Sequence, residues 1–143
     1  MADAAPRLFP YLRYRDAPAA IKFLESAFGF RHGVVLANED GSIAHAELSY
    51  GPSILMLASE RDDRFGGRAG QGSVYLVVDD PDAHSERARA AGATITTEVH
   101  DTDYGAREYA ALDLDGNVWS FGTYRPAAEA SEGAESASAP AQV

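Results

Sequence analysis

His45 and Glu47 stand two residues apart in a stretch, 42–50, where Ala44, Ala46, Leu48 and Tyr50 alternate with Ile43, His45, Glu47 and Ser49. That alternation reads as a β-strand, and a spacing of two on a strand puts both side chains on one face. An imidazole beside a carboxylate supports two chemistries: a hydrogen-bonded polar couple lining a cavity, or a metal-binding or acid/base pair, since histidine is the side chain most easily tuned near neutral pH. Arg107 and Tyr109 have the same spacing in 107–112, just after Tyr104 and Gly105. Arginine beside tyrosines can hold a carboxylate, a phosphate or a planar ring, or it can pair structurally with Glu47 or Glu108. Tyr11, Tyr75, Tyr104 and Tyr109 are candidate stacking rings, because tyrosine offers apolar area together with a hydroxyl. His84 lies beside Glu86 and Arg87 in a helical pattern and reads as a solvated residue with no role.

The elements that must carry these residues repeat. Asp16-Ala17-Pro18 opens a helical pattern that closes at Phe28-Gly29, and Asp80-Pro81-Asp82 opens another that closes at Ala91-Gly92. Each has an Asp placed as N-cap, a proline in the first turn and a glycine stop. Gly29 and Gly92 are 63 residues apart. An apolar strand precedes each helix, at 9–15 and 73–78, and three follow, at 30–37, 42–50 and 53–58, then at 93–99, 107–112 and 118–124. Asn38-Glu39-Asp40-Gly41, Gly51-Pro52 and Asp113-Leu114-Asp115-Gly116-Asn117 are hairpin turn signals. The order is β-α-β-β-β, twice, giving one α+β domain over 1–126 with modules at about 8–58 and 73–125. The stretch 59–72, rich in Arg, Asp and Gly around Phe65, reads as a linker or a flap over a cavity. Residues 127–143, nearly all Ala, Ser, Glu, Gly and Pro, read as a disordered tail.

On the first strand, alternation puts Phe9, Tyr11 and Arg13 on one face, and on the last it puts Val118, Ser120 and Gly122 on one face and Trp119 and Phe121 on the other.

A doubled β-α-β-β-β unit of this length resembles the vicinal oxygen chelate superfamily, which includes glyoxalase I, extradiol dioxygenases and the fosfomycin- and bleomycin-resistance proteins. The marks that carry the likeness are Tyr11-Leu12-Arg13-Tyr14-Arg15-Asp16, Phe23 to Phe30, Gly41 to Leu48, Tyr104 to Glu108, and Leu112 to Ser120. The resemblance implies a curved mixed sheet around a central cavity. It also implies four metal positions, one on the first and one on the last strand of each half, which here fall on Phe9, Met56, Ser73 and Ser120. Phenylalanine and methionine cannot bind a hard or borderline divalent ion, and serine hydroxyls are poor neutral ligands. The expectation is therefore a metal-free, bleomycin-resistance-like binder with no cofactor. Its ligand face would comprise Phe9, Tyr11, Arg13, His45, Glu47, Met56, Tyr75, Tyr104, Arg107, Tyr109 and Ser120. A lyase, isomerase or dioxygenase, working through an atypical metal at His45 and Glu47 or through metal-free acid/base catalysis, stays open beside it.

Composition narrows the partners. The chain has 143 residues, no cysteine and a formal charge of −10. Disulfides, thiolate metal sites and a cysteine nucleophile are excluded. A negative chain repels phosphate backbones, so nucleic acid is not expected, whereas a small cationic ligand is favoured at long range. No stretch approaches the length of a membrane span, and the N-terminus lacks a signal-like pattern, so a cytoplasmic protein is expected. A homodimer is expected as well, its modules closing within one chain or exchanging between two.

Overall fold

A computed structural model describes residues 5–62 and 68–127. The expected flap is thus described only in part, and nearly all of the expected tail lies outside the described residues. The first module runs β1 (Tyr11–Tyr14), α1 (Ala17–Phe23), β2 (Arg31–Ala37), β3 (Ile43–Tyr50) and β4 (Ser53–Ser59); a π-helical turn, Leu24–Phe28, extends α1. The second runs β5 (Ser73–Val77), α2 (Pro81–Ala90), β6 (Thr94–Asp101), β7 (Arg107–Leu112) and β8 (Val118–Gly122). The α+β class and the doubled order follow the sequence reading. The eight strands divide into two four-stranded sheets, ordered β1-β4-β3-β2 and β5-β8-β7-β6, that do not close on one another. In each, the outer pair β1–β4 or β5–β8 is parallel and the rest antiparallel.

Local chemistry sets the helix ends as the sequence indicates. Asp16 accepts from the Ala19 amide and Asp80 from the Ala83 amide, each at 3.1 Å, so a carboxylate satisfies a free donor of the first turn. Gly29 then turns the chain out of the π-helical segment at φ 90°, a conformation that costs a Cβ-bearing residue dearly.

The modules meet on their helical sides. Phe28, at the end of the π-helical turn, packs against Trp119 and Phe121 of β8 with ring centroids 5.3 and 4.8 Å away. Arg87 of α2 donates to the carbonyls of Ser26 and Glu25. Tyr14, Leu24, Phe28, Leu48, Leu57, Tyr109, Trp119 and Phe121 are buried in one core that crosses the junction. Asp113 ties this core to the β7–β8 turn. Its carboxylate accepts from the Tyr14 hydroxyl at 2.6 Å, from Trp119 Nε1 at 2.9 Å, from the Asn117 side-chain amide, and from the Asp115 and Asn117 backbone amides. Burial beside that carboxylate pushes the Tyr14 hydroxyl well above the usual tyrosine range.

Candidate functional site

With one face of each sheet committed to this core, period-two alternation turns the other face outward. On the first sheet that outer face gathers five of the expected residues. Tyr11 of β1 is in register with Met56 of β4, and Met56 with Glu47 of β3. The Arg13 guanidinium lies over the Tyr11 ring at 5.3 Å from its centroid, and Tyr11 meets the His45 ring edge-on at 6.3 Å. His45 Nε2 stands 2.9 Å from Glu47 Oε2, and both side chains are partly exposed. Arg13 also donates to the Ser59 carbonyl at 3.4 Å. The result is a band of ring, guanidinium, imidazole and carboxylate across three strands.

The second sheet presents a related but differently dressed face. Tyr75 of β5 is in register with Ser120 of β8, the counterpart of Tyr11 beside Met56. Glu108 of β7 is in register with Gly122, where a Cβ would stand 2.6 Å from Glu108 Cγ and 3.0 Å from the Tyr75 hydroxyl. Only the absence of a side chain at 122 lets those two groups converge. The Tyr104 hydroxyl donates to Glu108 Oε2 at 2.6 Å, and that bond pushes its pKa up to about 12. The Tyr75 hydroxyl donates to the Tyr124 carbonyl at 2.6 Å, and burial, with Glu108 nearby, raises its pKa.

Several expected residues fall elsewhere. Arg107 and Tyr109 do share a face of β7, but it is the face that packs against the helices. Tyr109 is buried, its hydroxyl 2.6 Å from His84 Nδ1, and desolvation raises its pKa. Arg107 pairs with Asp82 of α2 and Asp101 of β6 rather than with Glu47 or Glu108, so it is held as structure at the rim. His84 is not solvated: it is buried between Phe28, Tyr50, Tyr109 and Phe121. Phe9 precedes β1 and is exposed, so the neighbours of Met56 and Ser120 on the parallel strands are Tyr11 and Tyr75 rather than Phe9 and Ser73. Glu108 and Tyr124 were missed by the sequence reading. The 63-residue step from Gly29 to Gly92 carries His45 onto Glu108, which was the available signal.

Phe9, Met56, Ser73 and Ser120 do not make a donor set for a divalent ion, and substituting Tyr11 and Tyr75 for the first-strand members does not supply one. Among the described residues, no three His, Asp or Glu side chains converge as a metal site would require. The side chains present do not fit the ion of the metal-using relatives. An apolar cleft of about 180 Å³ lies at the module junction, among Pro10, Ile54, Leu55, Val74, Leu76 and Trp119, and reaches Tyr75 of the second band; a shallow groove runs between α1 and β2.

Two β-α-β-β-β modules with an aromatic and polar band on each outer sheet face define a duplicated α+β scaffold. The chain belongs to the Glyoxalase/Bleomycin resistance protein/Dioxygenase superfamily, whose sequence profile matches residues 7–121. An uncharacterized protein of Mycobacterium bovis is 31% identical over 128 residues, spanning 84% of both chains. The crystal structure of TioX from Micromonospora sp. ML1 is 32% identical with a TM-score of 0.71, over 82% of this chain and 97% of that one. TnmS3, an antibiotic binding protein from Streptomyces sp. CB03234, shares the fold at 19% identity and a TM-score of 0.65, over 84% of this chain and 97% of that one.

Proposed function

We propose that this chain binds a small, partly aromatic or cationic organic molecule on its outer sheet faces and sequesters it without metal, in the manner of the antibiotic-binding members of its superfamily. The observation that carries this reading is the register of Tyr11 with Met56 and of Tyr75 with Ser120. At the places where metal-using relatives hold an ion, this chain offers ring surface and neutral atoms. Rings and a paired arginine recognise flat or charged organic groups at little entropic cost.

The protein works in the cytoplasm as a homodimer in this reading. Tyr11, Val34, Val35, Leu36, Val118 and Tyr124 are all exposed in the single chain, and a second copy facing the sheets would cover such a surface and deepen the bands into a groove. Sedimentation at the mass of one 15.2 kDa chain would overturn the dimer.

The direct test is a thermal-shift screen of the full chain against divalent metals and a panel of aromatic and cationic antibiotics, since a ligand of the native state raises its melting temperature. Stabilisation by an organic compound that is recovered unaltered, with no response to metal, supports sequestration. The 2.9 Å contact of His45 with Glu47 favours one second reading, a metal-free enzyme with His45 as general base. Conversion of the bound compound, lost in His45→Gln, would establish that reading instead.

A further inference from the structure

The two outer faces are dressed differently. The first carries Arg13 together with His45 and Glu47, whereas the band of the second carries the carboxylate of Glu108, whose register partner on β6 is His100. Around Glu108 stand three tyrosines. Tyr124 lies 6.5 Å from Tyr75 at an interplanar angle of 55°, and 5.9 Å from Tyr104 at 78°. Rings set at such angles form walls rather than a stack, and Tyr104 and Tyr124 keep 37% and 45% of their surface exposed. The hydroxyls of Tyr75 and Tyr104 are turned to acceptors, Tyr124 O and Glu108 Oε2. Donation to a carboxylate leaves the Tyr104 ring richer in electrons, which strengthens its attraction for a cation. Arg107 of β7 is bound by Asp82 and Asp101 on the other side of the sheet, so the cation that bears on this face is Arg125, an exposed residue whose charge reaches Tyr75.

We infer that the outer face of the second sheet is a site for the ammonium group of an organic cation, with Tyr75, Tyr104 and Tyr124 as its walls and Glu108 as its counter-charge. The inference deepens the binding reading above, on which it rests, by assigning the charged end of the ligand to one face. A quaternary or alkylated ammonium fits better than a bare metal ion, because ring faces attract a large, weakly hydrated cation and a single carboxylate does not replace the hydration shell of a small one.

The test titrates the full chain with choline and, separately, with its neutral carbon analogue, in which a tert-butyl group replaces the trimethylammonium, while following the tyrosine ring resonances by NMR. Choline is expected to shift the rings of Tyr75, Tyr104 and Tyr124 and to bind about tenfold more tightly than the analogue. Glu108→Gln and Tyr104→Leu should each weaken choline binding about tenfold at an unchanged melting temperature, while Tyr104→Phe, which keeps the ring, stays within about threefold of the parent. Equal affinity for the two compounds, no ring shift, or shifts confined to Tyr11 and His45 would overturn the assignment. The two readings fail separately. An antibiotic that stabilises the chain equally well with Glu108→Gln removes the cation site and leaves sequestration standing, whereas tight choline binding with no organic ligand found across the screen leaves the cation site and removes sequestration of such compounds.

Discussion

His84 of α2 and Phe28 of the π-helical turn meet across the junction of the two modules, with His84 Nε2 2.9 Å from the Phe28 carbonyl oxygen. A carbonyl only accepts, so Nε2 carries the hydrogen and Nδ1 is left to accept from the Tyr109 hydroxyl at 2.6 Å. The neutral ring thus satisfies a helix end, a strand and itself in one arrangement.

Burial first, and the Arg87 charge beside it, hold the His84 pKa below the ordinary histidine value of 6.5. The unfolded chain therefore takes up a proton before the folded one does. The stabilisation is complete above 6.5 and is lost as pH falls through the lower, folded value. Denaturant midpoints measured from neutral pH downward should fall more steeply for the parent than for His84→Leu. That variant should be less stable at neutral pH by about 1–3 kcal/mol for each orphaned partner. Parallel pH profiles would refute the assignment.

Asp113 is the acceptor for two buried donors from different modules, Tyr14 and Trp119. Asp113→Ala leaves both without a partner and frees the β7–β8 turn, so a loss of at least about 2–4 kcal/mol is expected in chemical unfolding. Tyr14→Phe removes one bond of the set and should cost about 1 kcal/mol. A pair of equal effects would mean that the carboxylate is not the shared anchor.

Gly122→Ala tests the convergence of Glu108 and Tyr75. The new methyl meets Glu108 Cγ at 2.6 Å and the Arg107 carbonyl oxygen at 3.2 Å, so side chains on the outer face must move. Overpacking of this kind costs about 1–3 kcal/mol, and here it should also displace the Tyr75 and Tyr104 ring resonances. Unaltered melting and unaltered ring shifts would show that the face has slack.

Arg107→Ala separates rim from site. Its ion pairs with Asp82 and Asp101 are exposed, so the melting temperature should hardly move, and ligand affinity should not change because the side chain is on the helical side of the sheet. Loss of ligand binding in this variant would return Arg107 to the recognition surface.

Much of the scaffold was legible because its signals are local. Asp16 and Asp80 as caps, Gly29 and Gly92 as stops, and the alternation in 42–50 and 107–112 each depend on neighbours in the chain. The face assignment of β3 was legible for the same reason from Ala46 and Leu48 against His45 and Glu47, but not at Ile43, which alternation puts with His45 and which is buried in the core where the β2–β3 register shifts. On β7 both candidate faces carry a polar or aromatic residue, so alternation alone did not say which one the helices cover. The burial of His84 was not legible either, because its partners Phe28 and Tyr109 lie 56 and 25 residues away along the chain. Nor was the convergence at Gly122, which depends on the register of β7 with β8 and of β5 with β8.

Strand alternation gives this architecture a division of labour with an evolutionary consequence. Tyr14, Tyr109, Trp119 and Phe121 hold the molecule together from one side of the sheets, while Tyr11 is exposed and His45, Tyr75 and Glu108 are half-buried on the other. A change at one of the latter alters what the surface attracts without touching what keeps it standing. On the proposed binding reading, such a scaffold could move from one ligand to the next by single steps, each intermediate still a folded protein.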